Sequence, residues 1–293
     1  MALFARDSLR TGELVQSRAQ ELLRDYSLEI TAKDVANFTE AAPQLVPGTA
    51  VSITFLPGDE PDMRVSSAAA VKRLGFEPVS HISARRLKSC EELETFLARL
   101  SGEAGVTRAF VVAGDPPQPE GPYEDALSII RSGLLAKYGI RRVGISGYPE
   151  GHPDISDEKL WRALKDKVAA VKEAGHEVDI TTQFGFDAEP VLQWLERVRQ
   201  EGVNARVRVG IAGPASVKTL LRYAARCGVG ASAKVMSKYG TSILNLLNTA
   251  GPDQIVEEFA ASLDRTRHGD VTVHFYPFGG VKKTADWIRN VAG

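Results

Sequence analysis

The sequence has little of what the more distinctive protein classes require. It holds only 2 cysteines in 293 residues, Cys90 and Cys227, far apart and in no C-x-x-C pattern. That excludes a disulfide framework and a thiolate metal cluster, and points to a reducing compartment, the cytoplasm. Net charge is nearly absent, 36 Lys+Arg against 37 Asp+Glu for a total of −1, which does not suit a dedicated nucleic-acid binder. No window approaches the roughly 18 uninterrupted apolar residues of a membrane span. The start, MALFARDSLRTGELVQSRAQELLRDY, carries charge from Arg6 onward in place of the apolar core of a signal peptide. Signature motifs are missing too: there is no G-x-S-x-G elbow, H-E-x-x-H pair, Walker loop or kinase set. With 43% hydrophobic residues, what remains is a soluble globular protein.

What is there is an alternation. Short β-rich runs occur at SLEIT (27–31), TAVSITF (49–55), EPVSHIS (77–83), RAFVVAG (108–114), RVGISGY (142–148), VDITTQF (178–184), RVRVGIA (206–212) and VTVHFYPF (271–278). Helical spacing fills the intervals 34–42, 66–74, 89–100, 123–138, 156–174, 187–201 and 216–227, and two further helical segments precede the last run. Ser89 with Glu92 predicts a capping box, Ser156 and Asp157 a helix start, and Gly175 and Gly202 helix ends. Gly228 and Gly230 follow a helix and read as its terminus. An amphipathic helix over 1–25, apolar at Leu14, Val15, Leu22 and Leu23, precedes the first run. Strict β then α alternation demands parallel strands joined by right-handed crossovers, and eight units in about 290 residues is the count and size of a (β/α)8 barrel. The expectation is therefore an α/β chain forming a single TIM barrel over 1–293, with the 1–25 helix packed on it and no length left for a regulatory domain. An open doubly wound sheet would place a glycine-rich turn after its first strand, and AKDVANF has no glycine.

Active sites of such barrels sit at the carboxyl ends of the strands. The residues there are Glu29, Thr54, His81, Asp115, Tyr148, Gln183 and Tyr276, nearly all able to donate, accept or titrate. Glu29, between Leu28 and Ile30, points by alternation into the barrel. Desolvation would raise its pKa and make it a general acid; a buried Glu paired with a basic residue from another strand fits the pattern equally well. Asp115 follows Gly114 in GDPP, where it is either a ligand-binding carboxylate beside a permissive backbone or a turn cap. Tyr148 and His152 share the proline-stiffened loop GYPEGHP, suited to a planar cofactor, or to a tyrosine packed on its own prolines. A buried Gln183 needs partners and can satisfy both a donor and an acceptor on one ligand edge. A lone His81 is more often structural than catalytic.

The order of GDPP (114–117), YPEGHP (148–153), ITTQFGFD (180–187) and HFYPF (274–278) resembles the methylenetetrahydrofolate reductase family, over about Tyr26 to Tyr276. That family's catalytic domain is a (β/α)8 barrel binding FAD. The resemblance implies an oxidoreductase of one-carbon metabolism that interconverts 5,10-methylenetetrahydrofolate and 5-methyltetrahydrofolate, with hydride passing from NADH or NADPH through FAD in a ping-pong sequence. It makes Glu29 the general acid and places Asp115 beside the pterin. Thr54, His81, Gly114, Asp115, Tyr123, Tyr148, His152 and Lys167 fall on its flavin contacts, and Asp115, Gln183, Tyr223 and Tyr276 on its substrate contacts. No metal, nucleic acid or membrane is implied; the partners are tetrahydrofolate derivatives, and the family tends toward homo-oligomers. The chain departs from the pattern at Ile30, Thr31 and Ala32, where the family has aromatics and prolines. It departs again at Ala113, and at Gly279 or Gly280, each where the family has an arginine. The alternatives are a flavin-independent reductase or other folate enzyme, and a barrel that binds folate or flavin without turnover.

Overall fold

The computed structural model describes residues 15–228 and 249–292. Strands β1 (Ser27–Thr31), β2 (Ala50–Thr54), β3 (Glu77–Ser83), β4 (Arg108–Val112), β5 (Arg142–Gly147), β6 (Glu177–Gly185) and β7 (Arg206–Ala212) lie in the order expected from the sequence. A short antiparallel pair, β8 (Ala215–Ser216) and β9 (Thr249–Ala250), stands apart, and β10 (Val271–Tyr276) completes the set. All strands but β8 and β9 close into one parallel barrel, ordered β1-β10-β7-β6-β5-β4-β3-β2. This is a (β/α)8 TIM barrel.

Alternation decides what each strand shows to each side. Val51, Ile53, Val111, Val143, Ile145, Ile180, Val207, Val209 and Val273 are each at most 1% exposed, packed between the barrel and its helices. Ser52, Thr181 and His274, each one residue from a member of this set, face the interior with Glu29 and His81 and are polar. Around this lie helices α1 (15–22), α2 (Val35–Ala41), α3 (Pro61–Arg73), α4 (Cys90–Ala104), α5 (Ala126–Arg131), α6 (Leu134–Lys137), α7 (Asp157–Glu173), α8 (Ala188–Gln200), α9 (Val217–Arg226), α10 (Asp253–Ser262), α11 (Arg265–His268) and α12 (Val281–Ala292).

Several local expectations change. The single helix read over 123–138 is broken into α5 and α6 by Gly133, whose φ of +74° no helix accommodates. Helix α3 begins at Pro61, five residues before the expected start, because a proline in the first turn costs no hydrogen bond. At α4, Ser89 Oγ accepts from Glu92 N at 3.1 Å, but the Glu92 carboxylate reaches Lys88 N at 2.6 Å, one residue short of a capping box. Ser156 makes no capping bond; Asp157 pairs with Arg197 at 3.1 Å. Gly175 and Gly202, with φ of +79° and +78°, end α7 and α8 as expected. Leu14, with the rest of 1–14, and Gly230 lie outside the described residues. Among the described residues no helix is long and apolar enough to cross a membrane.

Two features shape the barrel's ends. At the amino end, buried Arg208 meets Asp179 at 3.2 Å and donates to the Asp25 carbonyl at 3.0 Å, where Thr272 Oγ1 also donates at 2.7 Å. This ties β6, β7, β10 and the approach to β1 into a floor. At the carboxyl end, the β6–β7 register slips between Thr181 and Phe184. Thr182 Oγ1 accepts from Gly210 N at 2.8 Å, and Tyr276 OH donates to the Thr182 carbonyl at 2.9 Å. The bulge needs glycine opposite it: a Cβ on Gly210 would stand 2.5 Å from Thr182 O.

Candidate active site

Above the floor, the carboxyl end of the barrel opens into a cavity of about 330 Å³. Glu29 stands at its base. His274, two positions from Tyr276 on the inward face of β10, brings Nε2 to 3.9 Å from Glu29 Oε2, and its Nδ1 lies 2.8 Å from Ser27 Oγ. Burial pushes the Glu29 pKa up, but the neighbouring His274 imidazole, followed by the charge of His81, outweighs it and leaves the carboxyl below its ordinary value. The sequence-based expectation of a raised pKa is thus reversed, because desolvation is opposed by two imidazoles that strand pattern alone does not bring together. His81 itself is pushed down to about 4, first by burial and then by the charges of Arg64 and His274, with Glu29 opposing. It is a neutral imidazole at neutral pH, its ring 4.8 Å from that of Phe110.

The wall on the β6, β7 and β10 side is aromatic. Tyr223 on α9 stacks on Phe278 at 4.0 Å with an interplanar angle of 13°, and Phe184 meets Phe278 edge-on at 4.9 Å. Tyr276 completes the group, its phenol held well above its usual pKa by burial and by the charges of Glu29, Cys227 and Tyr148. Gln183, placed by the bulge, lines the cavity and accepts from Phe184 N through Oε1 at 3.1 Å. Such an arrangement can clamp a flat, partly polar ring system between aromatic faces and exchange a proton with it at one carboxyl group.

Sequence comparison decides the affiliation. The family model for methylenetetrahydrofolate reductase matches residues 18–286. The chain belongs to the methylenetetrahydrofolate reductase family. It is 30% identical over 141 residues to methylenetetrahydrofolate reductase (NADH) 1 of Arabidopsis thaliana, covering 42% of this chain and 23% of that protein. It is 28% identical over 182 residues to 5,10-methylenetetrahydrofolate reductase of Pectobacterium carotovorum subsp. carotovorum, covering 61% of this chain and 58% of that one. The matched segment thus spans less than two thirds of either relative. Among solved structures, dihydropteroate synthase (FolP) from Thermus thermophilus is similar with a TM-score of 0.48 and 13% identity, over 90% of this chain and 91% of that one.

Of the residues aligned with the methylenetetrahydrofolate reductase pattern, the fold gathers Glu29, His81, Tyr148, Gln183, Tyr223 and Tyr276 around the cavity. Thr54 follows at the end of β2, with its Oγ1 buried and without a hydrogen-bond partner. His152 meets the Tyr148 ring edge-on at 5.6 Å, and its Nδ1 accepts from Asp154 N at 3.1 Å. Asp115 stands at the rim, its side chain 65% exposed and held in a fork by Arg86 at 2.8 to 2.9 Å. Gly114, at φ +95°, is required there, since a Cβ would sit 2.2 Å from Ser83 Oγ.

Two residues stand away from the cavity, behind the strands. Tyr123 is buried in the core beside Cys90, where burial and a hydrogen bond with Cys90 raise its pKa. Lys167 is buried on α7 and pushed down to about 8 by desolvation, with the Asp125 charge opposing. His274, Ser27, Phe278, Arg226 and Cys227 join the site without having been singled out. The signal for His274 was legible, since it shares Tyr276's alternation; nothing local marks the others.

Proposed function

We propose that the chain interconverts 5,10-methylenetetrahydrofolate and 5-methyltetrahydrofolate, using NADH or NADPH and FAD. The observation that carries this reading is Glu29, a carboxyl group at the base of an aromatic-walled cavity, backed by His274 and Ser27 as a path for its proton. Glu29 protonates N10 of methylenetetrahydrofolate, which opens the five-membered ring to an iminium ready to accept hydride. Gln183 holds the pterin edge, and Tyr223 with Phe278 stacks on the aryl group. The Asp115 Oδ2, engaged by one Arg86 nitrogen, keeps acceptor capacity for a pterin donor.

The β2, β3 and β5 strand ends fit a flavin ring: the buried Thr54 hydroxyl lacks a partner, and His81 and Tyr148 stand on the cavity wall. Gly114, Asp115 and His152 flank that position at the rim. When bound, FAD supplies two-electron hydride exchange between nicotinamide and folate, so that both substrates use one cleft in turn. The burial of Tyr123 and Lys167, which leaves the flavin phosphates without those two contacts, favours a second reading: direct hydride transfer from NAD(P)H to folate. The visible spectrum separates the two. A yellow protein bleached by NADH and recoloured by methylenetetrahydrofolate supports the flavin route; a colourless protein with turnover overturns it.

Replacement of Glu29 tests the acid. Glu29→Gln is expected to abolish folate reduction while NADH-dependent flavin reduction persists. Stopped-flow measurement of the two half-reactions checks this, and equal loss in both removes Glu29 from the acid's role.

A further inference from the structure

The loop that leaves β4 is built on the turn that leaves β3. That turn, Ala84–Arg86, is one turn of 3-10 helix ending in two arginines. Arg85 fixes the backbone of the loop: its N donates to the Ala113 carbonyl at 2.8 Å, its carbonyl accepts from Glu120 N at 2.7 Å, and its guanidinium donates to the Pro116 and Glu124 carbonyls at 3.2 and 2.8 Å. Gly121 lies so close to the turn that a Cβ there would meet the Leu87 and Lys88 carbonyls at 2.4 Å. Arg86 fixes a side chain. Its Nε and Nη2 donate to Asp115 Oδ1 at 2.9 and 2.8 Å, and Nη2 donates to Oδ2 at 2.8 Å. Of the two partners the guanidinium is the anchored one, 22% exposed against 65% for the carboxylate. It lies 5.4 Å over the Phe55 ring and 3.7 Å from Glu120. Phe55 also carries the Arg64 guanidinium at 4.9 Å, which donates to the His81 carbonyl. Ala113 offers no charge beside the GD pair, and the cation at Asp115 comes from the neighbouring strand's turn.

We propose that Arg86 is a positioning residue for Asp115: it sets the direction in which that carboxylate meets the pterin, and so how tightly folate is held. The inference rests on the folate reading above. A carboxylate has about four acceptor sites. Arg86 fills two on Oδ1 and one on Oδ2, which leaves a single open site, on Oδ2. Asp115 therefore accepts one N–H of the pterin in a fixed direction, where an unheld side chain would turn freely at the rim. Ordering the carboxylate before the ligand arrives removes that rotamer cost from binding. The flat guanidinium matches both oxygens at once, which a lysine ammonium cannot do.

The test is a double-mutant cycle on calorimetric binding of 5-methyltetrahydrofolate, with thermal unfolding of each variant read alongside. Arg86→Gln is expected to bind about tenfold more weakly than the wild type, the scale of one hydrogen bond to a charged group. The fold is retained, since the Arg85 bonds stay in place. Arg86→Lys keeps the charge without the fork and shows the same loss. Asp115→Ala is also weaker, and adding Arg86→Gln to it changes nothing further, because Arg86 then has nothing to position. Binding by Arg86→Gln that equals or exceeds the wild type overturns the proposal, as does full affinity in Arg86→Lys, or losses that add in the double variant. Asp115→Ala binding like the wild type overturns it too, and removes Asp115 from the pterin site. A wild type that binds no folate overturns the folate reading itself, which separates the two failures.

Discussion

Glu29 shows how opposed effects set the state of one residue. The β1 strand turns it inward, and desolvation alone would hold a proton on it. His274, 3.9 Å away across the barrel and anchored by Ser27, shifts the balance toward the carboxylate. Glu29 is therefore ionised at neutral pH, and the protonated fraction that acts as acid grows as pH falls. His274→Gln removes the largest of the contributions that lower this pKa. The pH at which folate reduction is half-maximal is expected to move upward in that variant, read from the pH profile of the folate half-reaction. A profile that stays in place would show that His274 does not act through Glu29. His81 is a different case: at a pKa of about 4 it donates or accepts as a neutral ring, and its unfolded form takes a proton first as pH falls below ~6.5. Stability that is complete above ~6.5 is thus lost toward pH 4, and His81→Gln is expected to flatten that part of the acid limb of thermal unfolding.

At the scale of elements, the bulge in β6 converts an ordinary strand into a site. Regular pairing would carry the alternation of β6 unbroken past Thr181; the slip before Phe184, fixed by Thr182 against Gly210 and Tyr276, sets Gln183 and Phe184 on the cavity. Gly210→Ala places a methyl group 2.5 Å from the Thr182 carbonyl. The expected cost is about 1–3 kcal/mol of stability, measured by denaturant unfolding, together with weaker folate binding. Unchanged stability and affinity would show that β7 yields at no cost. Helices are more forgiving: α5 and α6 replace one expected helix with two short ones, yet Ile129, Ile130 and Leu135 remain buried at no more than 1% exposure.

Over the whole molecule, closure of the sheet gives each barrel strand two neighbours and an interior with a sealed end and an open end. The seal includes the buried Arg208–Asp179 pair. Arg208→Met is expected to cost about 3 kcal/mol, the lower end for breaking a buried pair, because Arg142 remains 3.5 Å from Asp179. Arg208→Met/Asp179→Leu recovers most of that loss, which thermal unfolding of the single and double variants measures. The barrel was legible in the sequence because alternating strand runs and helical spacing are local patterns, set by which face each side chain must bury. So were Glu29, Gln183 and Tyr276, polar residues at the ends of apolar strands. What the sequence by itself determined is the alternation of strand and helix, and with it which residues turn inward. What only the tertiary structure decided is which residues meet: that the basic partner of Glu29 is His274 from the last barrel strand, that Arg86 holds Asp115, and that Tyr123 and Lys167 lie behind the strands. These are contacts between residues far apart in the chain. Their geometry depends on register, bulge and closure, and no local pattern encodes it.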